Sequence, residues 1–167
     1  DYVINALVVL PKKGLMPPEH LLRRAFETCA NFAAAVELLR QTPVSRPVIF
    51  TVAGAKPGER VVIEREEHEA RVLSADSSVA NAWRGMPPGW RPRVCGAGAP
   101  EENNRSRMAA LESCRDGEQD WCCPPVVNAT TRLTVDLCPA NGRLAVQGWE
   151  ANPDGGAHPV TNRLALG

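Results

Sequence analysis

The stretch Pro47–Arg65 constrains the fold more than any other part of the chain. Val48, Ile49, Phe50, Thr51 and Val52 are β-branched or aromatic, the composition of a strand. Val61, Val62 and Ile63 form a second such run, and Gly54-Ala55-Lys56-Pro57-Gly58 between them supplies a turn. Proline presets φ there and glycine tolerates a positive φ, so the pattern predicts an antiparallel hairpin. The first strand is apolar on both faces and is expected to be central and covered on both sides. The second runs into Glu64-Arg65-Glu66-Glu67, which reads as a strand end carried out to water.

One covering layer is offered by the residues before the hairpin. Leu22, Ala25, Cys29, Phe32, Ala33, Val36 and Leu39 recur every three or four residues over Glu19–Arg40, an amphipathic helical stripe. Thr28-Cys29-Ala30-Asn31 is expected to interrupt it, with Asn31 as N-cap of a second helix, Phe32–Arg40, a single long helix being the alternative. No layer for the other face of the central strand is visible, which implies an exposed apolar surface on this chain.

Tyr2–Leu10 is strand-like, His68–Ser74 is a third strand of the central sheet, and Val79–Trp83 begins another extended segment. Asn104–Cys114 is helical, with Met108, Leu111 and Cys114 as its apolar stripe. Arg132–Leu137 and Arg143–Gly148 are strands joined by Pro139-Ala140-Asn141-Gly142, where Asn-Gly favours a tight turn. The fold class is α+β, with one domain over 1–150 and a tail over 151–167 with little order of its own.

Composition narrows the partners. Nineteen Lys and Arg balance nineteen Asp and Glu, so no net charge draws the chain to nucleic acid or an anionic membrane. One Tyr and three Phe are too few for a platform on which bases stack. No apolar run approaches the roughly 18 residues of a transmembrane segment. No signal-peptide or lipidation pattern stands in these residues, and the compartment is left open. The cysteines are Cys29, Cys95, Cys114, Cys122, Cys123 and Cys138; none forms C-x-x-C, so the spacing argues against zinc. Cys29 and Cys138 read as small buried apolar residues. Spacing leaves open a disulfide among Cys95, Cys114, Cys122 and Cys123.

A set of short motifs in a fixed order carries a resemblance. They are Leu21-Leu22-Arg23-Arg24, Asn31-Phe32, Leu38-Leu39, Thr42-Pro43, Phe50, Ala53-Gly54, Gly58-Glu59 and Val62-Ile63-Glu64-Arg65. They continue with Asn81-Ala82-Trp83, Asn103-Asn104-Arg105-Ser106-Arg107, Pro125-Val126-Val127-Asn128 and Thr130-Thr131-Arg132-Leu133. Over Leu21–Glu150 the chain resembles the later half of acid ceramidase and of N-acylethanolamine-hydrolysing acid amidase. Bacterial relatives of the penicillin acyltransferase type share parts of the pattern. The resemblance implies an N-terminal nucleophile hydrolase with an αββα sandwich. Such enzymes cut themselves to expose a cysteine whose thiolate attacks an amide carbonyl while its free α-amine acts as base.

What the resemblance implies for individual residues is specific. Asn81 matches the downstream asparagine, whose amide would donate to the oxyanion of the tetrahedral intermediate. Arg105 matches the downstream arginine that orients groups around the nucleophile, with Arg107 the alternative if the register shifts. Trp83 is a candidate for the acyl pocket, as is Trp90, and Asn5 is a candidate second amide donor. The first site reads Ala80-Asn81-Ala82-Trp83 where family members often carry Thr-Asn-Tyr-Asp or Asn-His, which leaves substrate choice open. Residue 1 is Asp, so the nucleophilic cysteine is absent from this chain and is expected on an N-terminal portion of the same enzyme. The chemistry needs no metal or organic cofactor. His68, amid Glu66, Glu67 and Glu69, reads as solvent-exposed, and Asn104-Arg105-Ser106 and Asn128-Ala129-Thr130 match the glycosylation pattern.

The expected function is therefore the later part of an amidase acting on small N-acyl amides with a lipid-like acyl chain. Two alternatives accompany it. One is a non-catalytic module of the same fold that binds acyl lipids or a protein; the other is an acyltransferase of that fold.

Overall fold

The computed structural model describes residues 14–73, 78–84, 100–114 and 121–167. The strand expected at Tyr2–Leu10 lies outside them. The architecture is α+β, with helices and antiparallel sheets. The chain divides into two compact units, Asp1–Gly54 with Gly58–Pro100, and Glu101–Gly167 with the turn Ala55–Pro57. The sequence placed both within one domain.

In the first unit two helices precede a three-stranded sheet. Helix α1 is Pro18–Thr28 and α2 is Phe32–Gln41. The break between them falls where it was expected, and the Asn31 side chain accepts from the Ala34 N–H at 2.9 Å, satisfying one of the free donors of the first turn. The inward residues of α1 are Leu21 and Ala25, an i, i+4 pair. Leu22, predicted to belong to the stripe, is exposed because it lies about 100° around the helix from Leu21.

Strands β1 (Val48–Ala53), β2 (Arg60–Arg65) and β3 (Ala70–Leu73) pair antiparallel in that order. The hairpin forms as predicted: Gly54 N–H donates to Glu59 O at 2.6 Å, and Gly58 takes φ +81°, open to glycine at no cost. The centre is displaced, however. Among the described strands β2, not β1, pairs on both sides, and β2 is the more deeply buried of the two. Phe50 and Ile63 pair across the hairpin and face Leu21, Ala25, Leu39 and Val44 to form the core. Each fully buried Leu or Ile of this set contributes about 1.5–3 kcal/mol. Val44 and Ser45 are sewn in from both sides, by Val44 N–H to Glu67 O and Ser45 N–H to Met16 O, each 2.9 Å.

The end of β2 is not carried out to water as expected. Glu64 and Arg65 are fully buried and Glu67 nearly so. The strand continues its period-two alternation through them, so Ile63 and Arg65 face the helices while Val62 and Glu64 face the other way. Arg65 is tolerated there because α2 ends against it. A helix leaves its last carbonyls without intrahelical partners. The Arg65 guanidinium donates from Nη1 to Leu39 O at 2.6 Å and to Arg40 O, and from Nη2 to Thr42 O at 2.9 Å. Its charge also sits at the negative end of the helix dipole. Burial, and next the charge of Arg40, push the Arg65 pKa below that of an ordinary guanidinium.

The second unit holds α3 (Pro100–Ser113), β4 (Leu133–Cys138) and β5 (Arg143–Ala151). Between these strands lies the four-residue loop Pro139–Gly142, with Gly142 at φ +72° and Asn141 Oδ1 accepting from Arg143 N–H at 3.1 Å. Residues 151–167 carry more order than the sequence suggested. Strands β6 (Ala157–Pro159) and β7 (Leu164–Leu166) both pair with β5. Polar side chains fix them: Gly148 N–H donates to Thr161 Oγ1 at 2.9 Å, and Arg163 reaches Asp136 on β4 at 3.0 Å. One face of this sheet buries Ala145, Thr134 and Trp149, whose Nε1–H donates to Thr134 Oγ1 at 2.9 Å. The other is a row of apolar residues in register, Val135–Val146–Leu164 and Leu137–Leu144–Leu166, with Leu133 beyond.

Candidate functional site

The sequence singled out Asn81 and Trp83, and both lie on Ser78–Arg84, the segment that follows β3. It was expected to be extended, but it bends and forms no strand. Ala82 N–H donates to Ala80 O at 2.8 Å, a three-residue turn with Asn81 at its apex. Asn81 is exposed there and Trp83, two residues on, is half-buried.

The segment is held at its far end. Arg84 N–H donates to Glu64 Oε1, and Arg84 Nη1 reaches back to Ser78 O at 3.5 Å. Glu64 stands on β2 with Ile49 and Arg71 as its cross-strand neighbours. Its Oε2 is buried with no hydrogen-bond partner among the described residues. A side-chain amide displayed on a turn anchored in this way can donate to an oxygen on which negative charge develops.

The other candidate is on α3, in the second unit. Arg105 is exposed. The inward side of the helix is set by Asn104, Arg107, Met108 and Leu111, spaced i, i+3, i+4 and i+7. Asn104 is buried, and Arg107 donates from Nη2 to its Oδ1 at 2.5 Å. The Nε of Arg107 is buried and has no partner among the described residues. The helix thus seats Arg107 inward and Arg105 outward. Asn81 and Trp83 belong to the first unit and Arg105 to the second, so neither unit alone contains all three.

Other residues raised by the sequence fall in place or outside. His68 is exposed as read. Asn5, Trp90 and Cys95 lie outside the described residues. Cys29, Cys114, Cys123 and Cys138 are free thiols, and Cys29 and Cys138 are half-buried rather than buried. Asn104 is too buried to present itself as a glycosylation acceptor. The Asn128 side chain closes a local turn, accepting from Thr130 N–H at 3.0 Å and Thr130 Oγ1–H at 2.6 Å. Among the described residues, no three His, Cys, Asp or Glu side chains gather as metal ligands.

Glu64 and Arg65 are the residues that sequence reasoning missed. Their charge suggested solvent, and the letters Val61-Val62-Ile63-Glu64-Arg65, three apolar and then two charged, carry no local signal of their burial. A scan of the chain against protein-family models finds no match, and a search of curated proteins finds none either.

Proposed function

We propose that this chain is the later part of an N-terminal nucleophile amidase of the αββα type, hydrolysing N-acyl amides with a lipid-like acyl chain. The observation that carries the reading is Asn81, the residue matched by motif, at the exposed apex of a turn tied to a buried carboxylate. In the proposed reaction a cysteine thiolate on another segment attacks the amide carbonyl, and its own α-amine takes the thiol proton. The Asn81 amide donates to the resulting oxyanion. The intermediate collapses to a thioester, the amine leaves with the proton, and water releases the acid. Trp83 lines the acyl side. The arginine that orients the reacting groups is Arg105 by motif, and burial favours Arg107 for the same task.

The test is to purify the 167-residue chain alone, and again joined to the coding segment upstream of it, and to assay both on fluorogenic acyl amides. The chain alone is expected to be inactive and the longer protein to turn over. Hydrolysis by a clean monomer of the chain alone would place the nucleophile within these residues and overturn the roles of Asn81, Trp83 and the arginine. No turnover by the longer protein would favour a binding module. Transfer of the acyl group to an added amine in preference to water would favour an acyltransferase.

A further inference from the structure

We propose that Glu64 is a positioning residue whose buried carboxylate holds Ser78–Arg84 against the sheet and thereby fixes Asn81 and Trp83. Its bearing on activity rests on the functional reading above; its structural part does not. Glu64 lies on the sheet face away from the helices, next to the buried Val62. A leucine there would fill the same place without the cost of removing a charge from water. The Glu64 carboxylate accepts from Arg84 N–H through Oε1, while Oε2 is buried without a hydrogen-bond partner among the described residues. Ser78–Arg84 pairs in no ladder, so its backbone donors depend on such local acceptors. An ionised acceptor makes a shorter and stronger bond than a neutral one. Across the strand, Arg71 stands beside Glu64 in register. The carboxylate therefore serves the segment rather than the sheet, which packs on its other face through Phe50 and Ile63.

The bond is read by amide hydrogen exchange on the 167-residue chain. In the unaltered protein the Arg84 amide should exchange at least roughly 100-fold more slowly than an unprotected amide, although it belongs to no strand. Glu64→Leu should return exchange at Arg84 to near the unprotected rate while the amides of β1, β2 and α2 keep their protection. Glu64→Gln, which retains an oxygen acceptor, should recover most of the protection. In the longer, active protein Glu64→Leu should lower kcat about as much as Asn81→Ala, and the two changes together should cost no more than Asn81→Ala alone, because they act on one element. An unprotected Arg84 amide in the unaltered protein would overturn the proposal, as would full protection in Glu64→Leu. Should Glu64→Leu fail to fold, the unaltered protein and Glu64→Gln still decide it. If Asn81→Ala leaves turnover unchanged, the functional reading fails while the exchange data continue to decide the role of Glu64.

Discussion

The sheet of the first unit takes a guanidinium on one face and a carboxylate on the other, whereas the sheet of the second turns leucines and valines to solvent. Arg65 and Glu64 are 0% exposed, while Leu133 and Leu137 are each 58% exposed and Leu166 is 68% exposed. Hydropathy alone predicts the reverse in both places. The difference lies in what stands opposite. In the first unit α2 ends on β2 and leaves carbonyls that need donors, and Ser78–Arg84 brings an N–H that needs an acceptor. In the second the polar demand is met within the sheet and its C-terminal strands, Trp149 to Thr134 and Arg163 to Asp136, and the apolar row is left on the outer face. Burial follows the available partners as much as it follows side-chain polarity.

That contrast can be broken by substitution. The largest effect is expected at Arg65→Met, which keeps an apolar stem but leaves the carbonyls of Leu39, Arg40 and Thr42 without their donor. The loss should be on the order of 3 kcal/mol or more, since buried unsatisfied acceptors cost roughly 1–3 kcal/mol each. For a chain of this size that lowers Tm by about 10 °C. A shift under about 2 °C would show that the cap is not what keeps Arg65 inside. A smaller loss, about 1–2 kcal/mol, is expected for Thr134→Val, which preserves shape but strands the Trp149 indole N–H; chemical denaturation reads it. The smallest stability change is expected on the apolar row. Val135→Thr with Leu137→Thr should move stability by less than about 0.5 kcal/mol per site. The same double change should raise the monomer fraction in sedimentation, because the row is the apolar surface through which the chain is expected to self-associate. A large destabilisation there would mean that the row is packed rather than exposed.

The sequence carried the local geometry well wherever one residue type has a distinctive backbone or capping role. Asn31 caps α2, Gly58 turns the first hairpin and Gly142 the second, and all were visible as letters. It carried long-range demand poorly. Nothing local to Glu64-Arg65-Glu66-Glu67 reveals that a helix ends 23–26 residues earlier in front of Arg65. Nor does Val48–Val52 reveal that β2 takes the middle of the described sheet, since an edge strand with a covered face has the same composition. The uncovered apolar surface was expected beside β1 and is found on β4, β5 and β7, because β6 and β7 arise from a stretch too short and mixed to show a period. At the candidate site the sequence picked out Asn81, yet the buried carboxylate that anchors its segment lay hidden in a run of charges.

The role of Asn81 is tested most directly by the turnover of a fluorogenic acyl amide by the longer protein, with and without Asn81→Ala, alongside the melting transition of each. The expected result is a fall in kcat of roughly 10²–10³ with the transition unmoved, the usual loss of one oxyanion donor. Near-normal turnover with a normal transition would remove Asn81 from the site, and the reading of this chain as an amidase part would lose its support.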